Sequence, residues 1–419
     1  IGIPLTLPAK PHFSISQHYE EALTKLWKDV TNGRILLIDP TLQEELVGIL
    51  ETPFMRVPKM NPDRTLSEEG RYVHSQCKVN DLGSKYHHPP AVQASHRELC
   101  RILLWWKARC PGIPVLMAKR DVASAYKWIW IEHDSVGLFA TSLPGDALRR
   151  DSILAVFLCL SFGWGGSPGE FVAFATGAKQ AFESLRPARP KWHDVVPFHG
   201  DFVMDDTVLV EPRLGIRPEL LAAALEGEVK TFFGPMSINE EKKEEEGEFC
   251  VTQLNWGLHY NSALETITLP EPKVSKLRIV ASDSSYDTGN RKLTVHKVQI
   301  LMGNLVAAAP TCPYLYPFLG AGYRLLSGTG DNQRNVEVQG AETDQLRIWE
   351  DWWELVELVR TLAEEPSHWE AHFKSSFLAA LPPKERVSFP GEWERVPVSY
   401  THLRAHETSL QLVCRLLLE

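Results

Sequence analysis

The chain has 419 residues, of which 44% are hydrophobic and 23% are charged, and its formal net charge at pH 7 is −9. A chain of this length buries a large core and is expected to form two or more domains or subdomains. Its longest apolar run, Ile153 to Leu160, is too short to span a bilayer, so we expect no membrane association. The acidic balance carries little weight against nucleic-acid binding, because much of it is concentrated in residues 240–246, but the lack of a long basic run argues against tight duplex binding. The seven cysteines form no C-x-x-C pair, which disfavours a zinc site or a disulfide framework and suits a reducing compartment.

Hydrophobic periodicity and turn residues predict a mixture of helices and strands. Short strand signals occupy residues 54–90, and the apolar residues before Asp121 predict a strand that ends there. The alternation of Trp128 and Trp130 indicates another strand, and residues 320–334 are rich in loop formers. Five tryptophans on the predicted helices are assigned to the core, namely Trp105, Trp106, Trp349, Trp352 and Trp353. These helices span residues 19–30, 41–50, 95–109, 171–185, 219–232, 274–281, 295–309 and 344–364.

Two adjacent carboxylates, Asp205 and Asp206, interrupt an apolar run from Phe202 to Val210. The β-forming residues on both sides predict two short strands with the Asp pair at the turn between them. Adjacent carboxylates repel each other, and a hairpin that presents them at its tip suits a hard cation such as Mg²⁺. Taken alone, the pair favours an ordinary Asp-rich turn, because Asp is a common turn residue.

Two upstream segments change that interpretation. Asp121 lies in the segment 119–126, and residues 161–171 form a glycine-rich turn in which Pro168 follows Ser167 near a predicted helix start. The order of strand Asp, glycine-rich turn and Asp-Asp hairpin resembles motifs A, B and C of the reverse transcriptase palm. The segments are most similar to those of retrotransposon enzymes, and within these to the tyrosine-recombinase (DIRS-like) group.

The resemblance reaches outward from these motifs and covers roughly residues 15 to 330. It implies an α+β protein with the right-hand polymerase fold, in which fingers, a palm of antiparallel sheet plus helices, and a helical thumb surround the site. The supporting segments are 57–59 and 70–80 for the fingers, 254–258 for the primer-grip hairpin, and 293–305 for a thumb helix.

Domain boundaries follow from the same resemblance. The chain starts without Met, and no ribonuclease H site is evident, so we interpret it as a fragment whose ribonuclease H and integration domains lie downstream. Its last segment resembles a translated sequencing adapter and is set aside from fold reasoning. The expected units are the N-terminal region and fingers (1–118), the palm (119–262) with a remaining fingers insertion (about 140–160), the thumb (263–330), a connection-like helical region (331–397) and the non-native tail (398–419).

The function implied by the resemblance is RNA-directed DNA polymerisation, in which a nucleotidyltransferase extends a primer 3′-hydroxyl with deoxynucleotides on an RNA or DNA template. Asp121, Asp205 and Asp206 would be catalytic and would hold two Mg²⁺ ions, with Mn²⁺ as a substitute. Tyr126 would exclude the 2′-hydroxyl of a ribonucleotide. The nucleotide-binding residues would be Lys59, Arg71, Tyr126, Phe162, Gly163 and Ser167, and the primer or template would contact Gly166, Pro168, Trp256 and Gly257.

Some residues depart from the family pattern. Val203 stands where an aromatic residue is usual, and Ser75 and Cys77 stand where Asp and Arg are usual. The catalytic carboxylates survive these changes, so we expect a folded polymerase with impaired activity. Either Lys242 or Lys243 would be the family's proton donor to the leaving pyrophosphate, or both belong to a solvated charge run.

Two alternatives stay open at this stage. One is a catalytically silent, nucleic-acid-binding remnant of a retroelement. The other is a structural or interaction protein in which the Asp-Asp turn is incidental and Asp121 lies far from it. An RNA-dependent RNA polymerase is disfavoured, because Tyr126 would reject ribonucleotides. The sequence leaves the priming mode, the template preference, and the choice among cytoplasm, nucleus and virus-like particle undecided.

Overall fold

The computed structural model describes residues 12–375, except for gaps at 40–41, 43–47, 61–65, 144–151, 187–195 and 328–333. Most of the helix expected at 41–50, the end of the connection-like region and the tail 398–419 lie outside the described residues. The fold is mixed α and β, as expected. The helices are α1 (Phe13–Gln17), α2 (Tyr19–Thr31), α3 (Cys77–Leu82), α4 (His96–Arg109), α5 (Ser167–Ser184), α6 (Arg217–Phe233), α7 (Glu240–Glu246), α8 (Glu271–Ala281), α9 (Val295–Ala308), α10 (Leu319–Ser327) and α11 (Glu342–Glu364).

Within the residues just given, the strands form four antiparallel sheets, ordered β1-β6-β5, β2-β3, β4-β8-β7 and β12-β11-β10-β9. None of the helices in the described part of the chain is long and apolar enough to cross a membrane. The strands are β1 (Ile35–Ile38), β2 (Phe54–Met60), β3 (Leu66–His74), β4 (Val115–Asp121), β5 (Ala140–Leu143), β6 (Ile153–Phe157), β7 (Gly200–Val203), β8 (Asp206–Pro212), β9 (Thr252–Asn255), β10 (Leu258–Asn261), β11 (Thr266–Thr268) and β12 (Glu370–His372).

The sheet β4-β8-β7 is covered on both faces because alternate residues of β8 point to opposite sides. Val208 and Val210 pack in a core with α4, α8, α9 and α11. Leu209 packs in a second core with α5 and α6. Both faces of this short sheet are therefore buried, which holds the end of β4 rigidly against the start of β8.

The N-terminal part of the chain packs as a third core around α1, α2, β1, β2 and β6. Strand β1 pairs with β6, with Ile35 opposite Phe157. The segment 140–160, expected to be an insertion, thus joins the sheet begun by the N-terminal region. The four helices α8 to α11 pack against one another and against α4 in the largest core.

Most predicted helices are confirmed within a few residues, but two expectations are wrong. Trp128 ends a 3₁₀ turn rather than lying in a strand; its indole donates to the carbonyl of Ala123, and the Arg34 guanidinium lies over its ring. The segment expected to be loop-rich begins with α10, because its Leu319 and Leu325 are buried on one face of a helix. In both places long-range packing overrides the local pattern.

Candidate active site

The three aspartates lie at one end of the sheet β4-β8-β7. Asp121 is the last residue of β4 and lies opposite Asp206, the first residue of β8. The amide of Val122 donates to the carbonyl of Asp205 at 3.0 Å, which continues the pairing into the turn. Met204 has φ of 54°, an uncommon value for a residue with a side chain. This arrangement contradicts the interaction-protein alternative, which required Asp121 to lie far from the hairpin.

A lysine ammonium contacts two of these carboxylates. Lys242 Nζ lies 2.6 Å from Oδ1 of Asp121 and 3.7 Å from Oδ1 of Asp206. Asn239 donates its side-chain amide to Oδ2 of Asp121 at 2.8 Å, and its backbone amide to the Asp121 carbonyl at 2.9 Å. Asp121, which is 7% exposed, is therefore bound on both carboxylate oxygens.

Asn239 is a site residue that the sequence analysis missed. Its side chain also accepts from the amide of Lys242 and so caps the N-terminus of α7. The available signal was an Asn immediately before a run of charged residues, which is a common N-cap pattern. The structure also separates the two lysines, because Lys243 pairs with Glu226 at 2.7 Å.

Burial controls the electrostatics of the hairpin carboxylates. It raises the pKa of Asp205, and the charge of Asp121 adds to this shift while Lys242 and Arg71 oppose it. Burial also raises the pKa of Asp206, with Lys242 opposing it. For Lys242, burial lowers the pKa, but the hydrogen bond to Asp121 and the nearby carboxylates outweigh it and raise the pKa overall. A cation between the carboxylates thus favours their ionised forms.

Whether this end of the sheet suits a metal ion depends on its donor atoms. In the part of the chain that the structure describes, no group of three or more His, Cys, Asp or Glu side chains is arranged to hold a metal. Asp121 and Asp206 nevertheless converge on one cation, the ammonium of Lys242, and supply only oxygen donors. Such donors fit a hard divalent cation once the ammonium has moved away.

Burial raises the pKa of Tyr126, and the charge of Asp205 adds to this shift. Its ring packs against Phe162, with centroids 4.9 Å apart, and against Phe171 at 5.7 Å. Tyr126 is only 9% exposed whereas Phe162 is 45% exposed. The phenyl ring of Phe162 therefore forms the accessible surface next to a firmly held Tyr126.

The glycine-rich turn is held by hydrogen bonds to α3 and by one within the turn itself. Gly163 has φ of 109°, and a Cβ there would collide with the carbonyl of His74. Asn80 donates to the carbonyl of Gly163 and accepts from the amide of Gly165. Ser167, expected to bind nucleotide, is 1% exposed and donates to the carbonyl of Ser161. In this structure Ser167 closes the turn, and Gly166 and Pro168 begin α5 beside it.

The expected triphosphate contacts lie on the hairpin of β2 and β3. Arg71 lies opposite Val57 in this hairpin, and both Arg71 and Lys59 are exposed. The positive charge of Arg71 lowers the pKa of Asp205, against the larger upward effect of burial. A cavity of about 360 Å³ between α2, β3 and residues 157–162 has Arg71 and Phe162 at its wall.

Trp256 and Gly257 lie in a different sheet, at the turn between β9 and β10. Both have positive φ, 48° and 82° respectively. Lys273 donates to the carbonyl of Gly257 at 2.7 Å. The Trp256 ring lies edge-on to His96, whose ring nitrogen is hydrogen-bonded to the hydroxyl of Tyr260 at 2.6 Å. This turn is thus fixed to α4 and α8.

Comparison with known proteins supports the fold alone. No protein-family model and no curated protein matches the sequence. The structure is similar to that of a foamy viral protease–reverse transcriptase in complex with double-stranded DNA, with a TM-score of 0.50 and 14% sequence identity. The match covers 86% of this chain and 51% of the viral one, so this chain spans about half the length of that protein. The chain therefore has a reverse-transcriptase-like polymerase fold.

Proposed function

We propose that the chain is the RNA-directed DNA polymerase of a retroelement, which extends a primer 3′-hydroxyl with deoxynucleotides. The observation that carries the proposal is that Asp121 and Asp206 lie opposite each other at a sheet end and share one cation, with Asp205 beside them. Carboxylates from separate segments that meet at one point are what two-metal nucleotidyl transfer needs. The reverse-transcriptase-like fold supports the same class of reaction.

In this proposal Asp121, Asp205 and Asp206 hold Mg²⁺, for which Mn²⁺ can substitute. When bound, the two metal ions stabilise the attacking and leaving oxygens of the displacement. Arg71 and Lys59 project from an exposed hairpin and attract the triphosphate by charge. Tyr126, whose ring packs against Phe162 and Phe171, sterically excludes the 2′-hydroxyl of a ribonucleotide.

The domain assignment is part of the proposal. Fingers would comprise residues 1–118 and the insertion at about 140–160, and the pairing of β1 with β6 supports this grouping. The sheet β4-β8-β7 with α5 and α6 would form the palm (119–262), and α8 to α10 most of the thumb (263–330). A primer–template duplex is the proposed partner, since the similar viral protein was solved with double-stranded DNA. Membership of the DIRS-like group remains a proposal from the motifs.

The test is primer extension on an RNA template with Mg²⁺ and deoxynucleotides, using the full chain. Replacing Asp205 by Asn should reduce extension by about a hundredfold or more, because loss of a charged group at the transition state is worth several kcal/mol. Asp134→Asn removes the same charge from an exposed position in a short 3₁₀ helix and is the matched control. Extension that persists in Asp205→Asn would contradict the assigned site.

One observation favours the silent remnant as the second candidate. Lys242 contacts the carboxylates that a metal would need, and Val203 replaces the usual aromatic residue beside them. A folded protein that binds primer–template but never extends it, in Mg²⁺ or in Mn²⁺, would establish this alternative.

A further inference from the structure

We propose that Lys242 is a built-in cation that a divalent metal must displace from Asp121 and Asp206, so that α7 controls metal entry. The inference rests on the proposed function only in taking these carboxylates as the metal site. It gives Lys242 a role in the metal-free protein that differs from proton donation during the reaction.

The contacts show why this lysine is held at the carboxylates. Asn239 binds Asp121 through its backbone amide at 2.9 Å and its side-chain amide at 2.8 Å, and it caps α7. The cap sets the first turn of the helix, from which Lys242 extends to Oδ1 of Asp121. The side chain of Lys242 is 48% exposed, so it can leave for solvent without unpacking a core.

An ammonium and a metal ion compete for the same oxygens at this site. Both carboxylate oxygens of Asp121 already accept a hydrogen bond, Oδ2 from Asn239 and Oδ1 from Lys242. An ammonium and a divalent ion bound to the same carboxylate oxygen would lie close together and would repel each other strongly, even with a high effective dielectric constant. A divalent ion therefore binds Oδ1 only after Lys242 has moved, and the lost charge-assisted hydrogen bond weakens metal binding.

The adjacent Lys243 offers a matched control. One step along a helix turns the side chain by about 100°, so the two lysines point to different neighbours. Lys243 pairs with Glu226 at 2.7 Å and with Glu240 at 3.5 Å. Replacing either lysine by Met removes one positive charge from α7, and so changes the long-range field by a similar amount.

The experiment measures Mn²⁺ binding by electron paramagnetic resonance, on the full chain without nucleotide or nucleic acid. Lys242→Met should bind Mn²⁺ about tenfold more tightly than the wild type, as expected for removal of a competing charge-assisted hydrogen bond. Lys243→Met should change the affinity by about twofold at most, and Lys242→Arg should keep the affinity low. Circular dichroism verifies that each variant is folded.

A second measurement uses the wild type alone and so does not depend on any variant folding. Amine acylation followed by mass spectrometry reports whether each lysine nitrogen is free. Mn²⁺ should increase the labelling of Lys242 severalfold and leave Lys243 unchanged, because only Lys242 gives up a carboxylate partner. Equal Mn²⁺ affinity in wild type and Lys242→Met, or an equal gain in Lys243→Met, would overturn the inference.

The outcome also separates this inference from the proposed function. Wild type that extends a primer with Mn²⁺, together with unchanged affinity in Lys242→Met, overturns the cation exchange alone. Absence of both extension and Mn²⁺ binding in every variant overturns the two together.

Discussion

The buried pair of Arg217 and Glu211 should be critical to the stability of the sheet that carries the hairpin. Glu211 lies on β8 and is fully buried, and Arg217 at the start of α6 is 2% exposed. The guanidinium donates to the carboxylate and to the carbonyl of Val196, and lies 5.4 Å from the ring of Trp106. The perturbation of interest is Arg217→Met, which keeps the apolar stem and removes the charge.

We expect Arg217→Met to lower the free energy of unfolding by about 3–5 kcal/mol, the usual range when one partner of a buried ion pair is removed. Burial raises the pKa of Glu211, and the charge and hydrogen bond of Arg217 oppose this shift. Without Arg217 the pKa of Glu211 rises further, so in the folded variant the Glu211 carboxyl stays protonated to a higher pH than in the wild type. The loss should therefore be smaller at pH 5.5 than at pH 8.5.

Urea unfolding followed by tryptophan fluorescence is a suitable assay, because Trp106 lies beside the guanidinium. The double variant Glu211→Gln with Arg217→Met should recover a large part of the loss, since it leaves no buried charge. A loss below about 1 kcal/mol, or no recovery in the double variant, would refute the reasoning.

Two further predictions concern stability. Gly169→Ala should destabilise the protein by about 1–3 kcal/mol, because its Cβ would collide with the backbone carbonyl of Pro89. Gly227 lies within α6 with open space around it, so Gly227→Ala should instead stabilise the protein by about 0.5–1 kcal/mol. Thermal unfolding that ranks the two variants otherwise would contradict this prediction. Burial raises the pKa of Glu183 from 4.5 to about 7, with Lys179 opposing the shift, so its contribution to stability is present below pH 4.5 and is lost as pH rises to 7. The free energy of unfolding of Glu183→Gln should therefore rise by roughly 1–3 kcal/mol relative to the wild type as the pH increases from 4.5 to 7. Profiles of stability against pH that run parallel in the two proteins would contradict this prediction.

Local features were predictable because their causes lie within a few residues. The helix expected from Ser95 begins with a capping box of Ser95 and Glu98, as its pattern indicates. The strand that ends at Asp121 and the hairpin that follows Phe202 are confirmed for the same reason, although the turn lies at Met204 and Asp205, and Asp206 already begins β8. Their register, with Asp121 opposite Asp206, follows from pairing of β4 with β8 and could be expected only through the family resemblance.

Other features depended on partners far away in the sequence. Helix α10 forms because Leu319 and Leu325 find a core, although its glycines suggested a loop. The hydrogen bond that the buried Ser167 donates to the carbonyl of Ser161 depends on how the glycine-rich turn folds, so the local sequence did not predict it.

By itself, the sequence determined the carboxylates and the short strands that present them, since charge, turn propensity and β-propensity act locally. Only the tertiary structure decided which cation neutralises them. Lys242 is 121 residues from Asp121 in the sequence, and it reaches the carboxylate because Asn239 anchors α7 to the end of β4. A charged run such as 240–246 looks the same in any solvated helix, so only the long-range contacts reveal that one of its lysines belongs to the site.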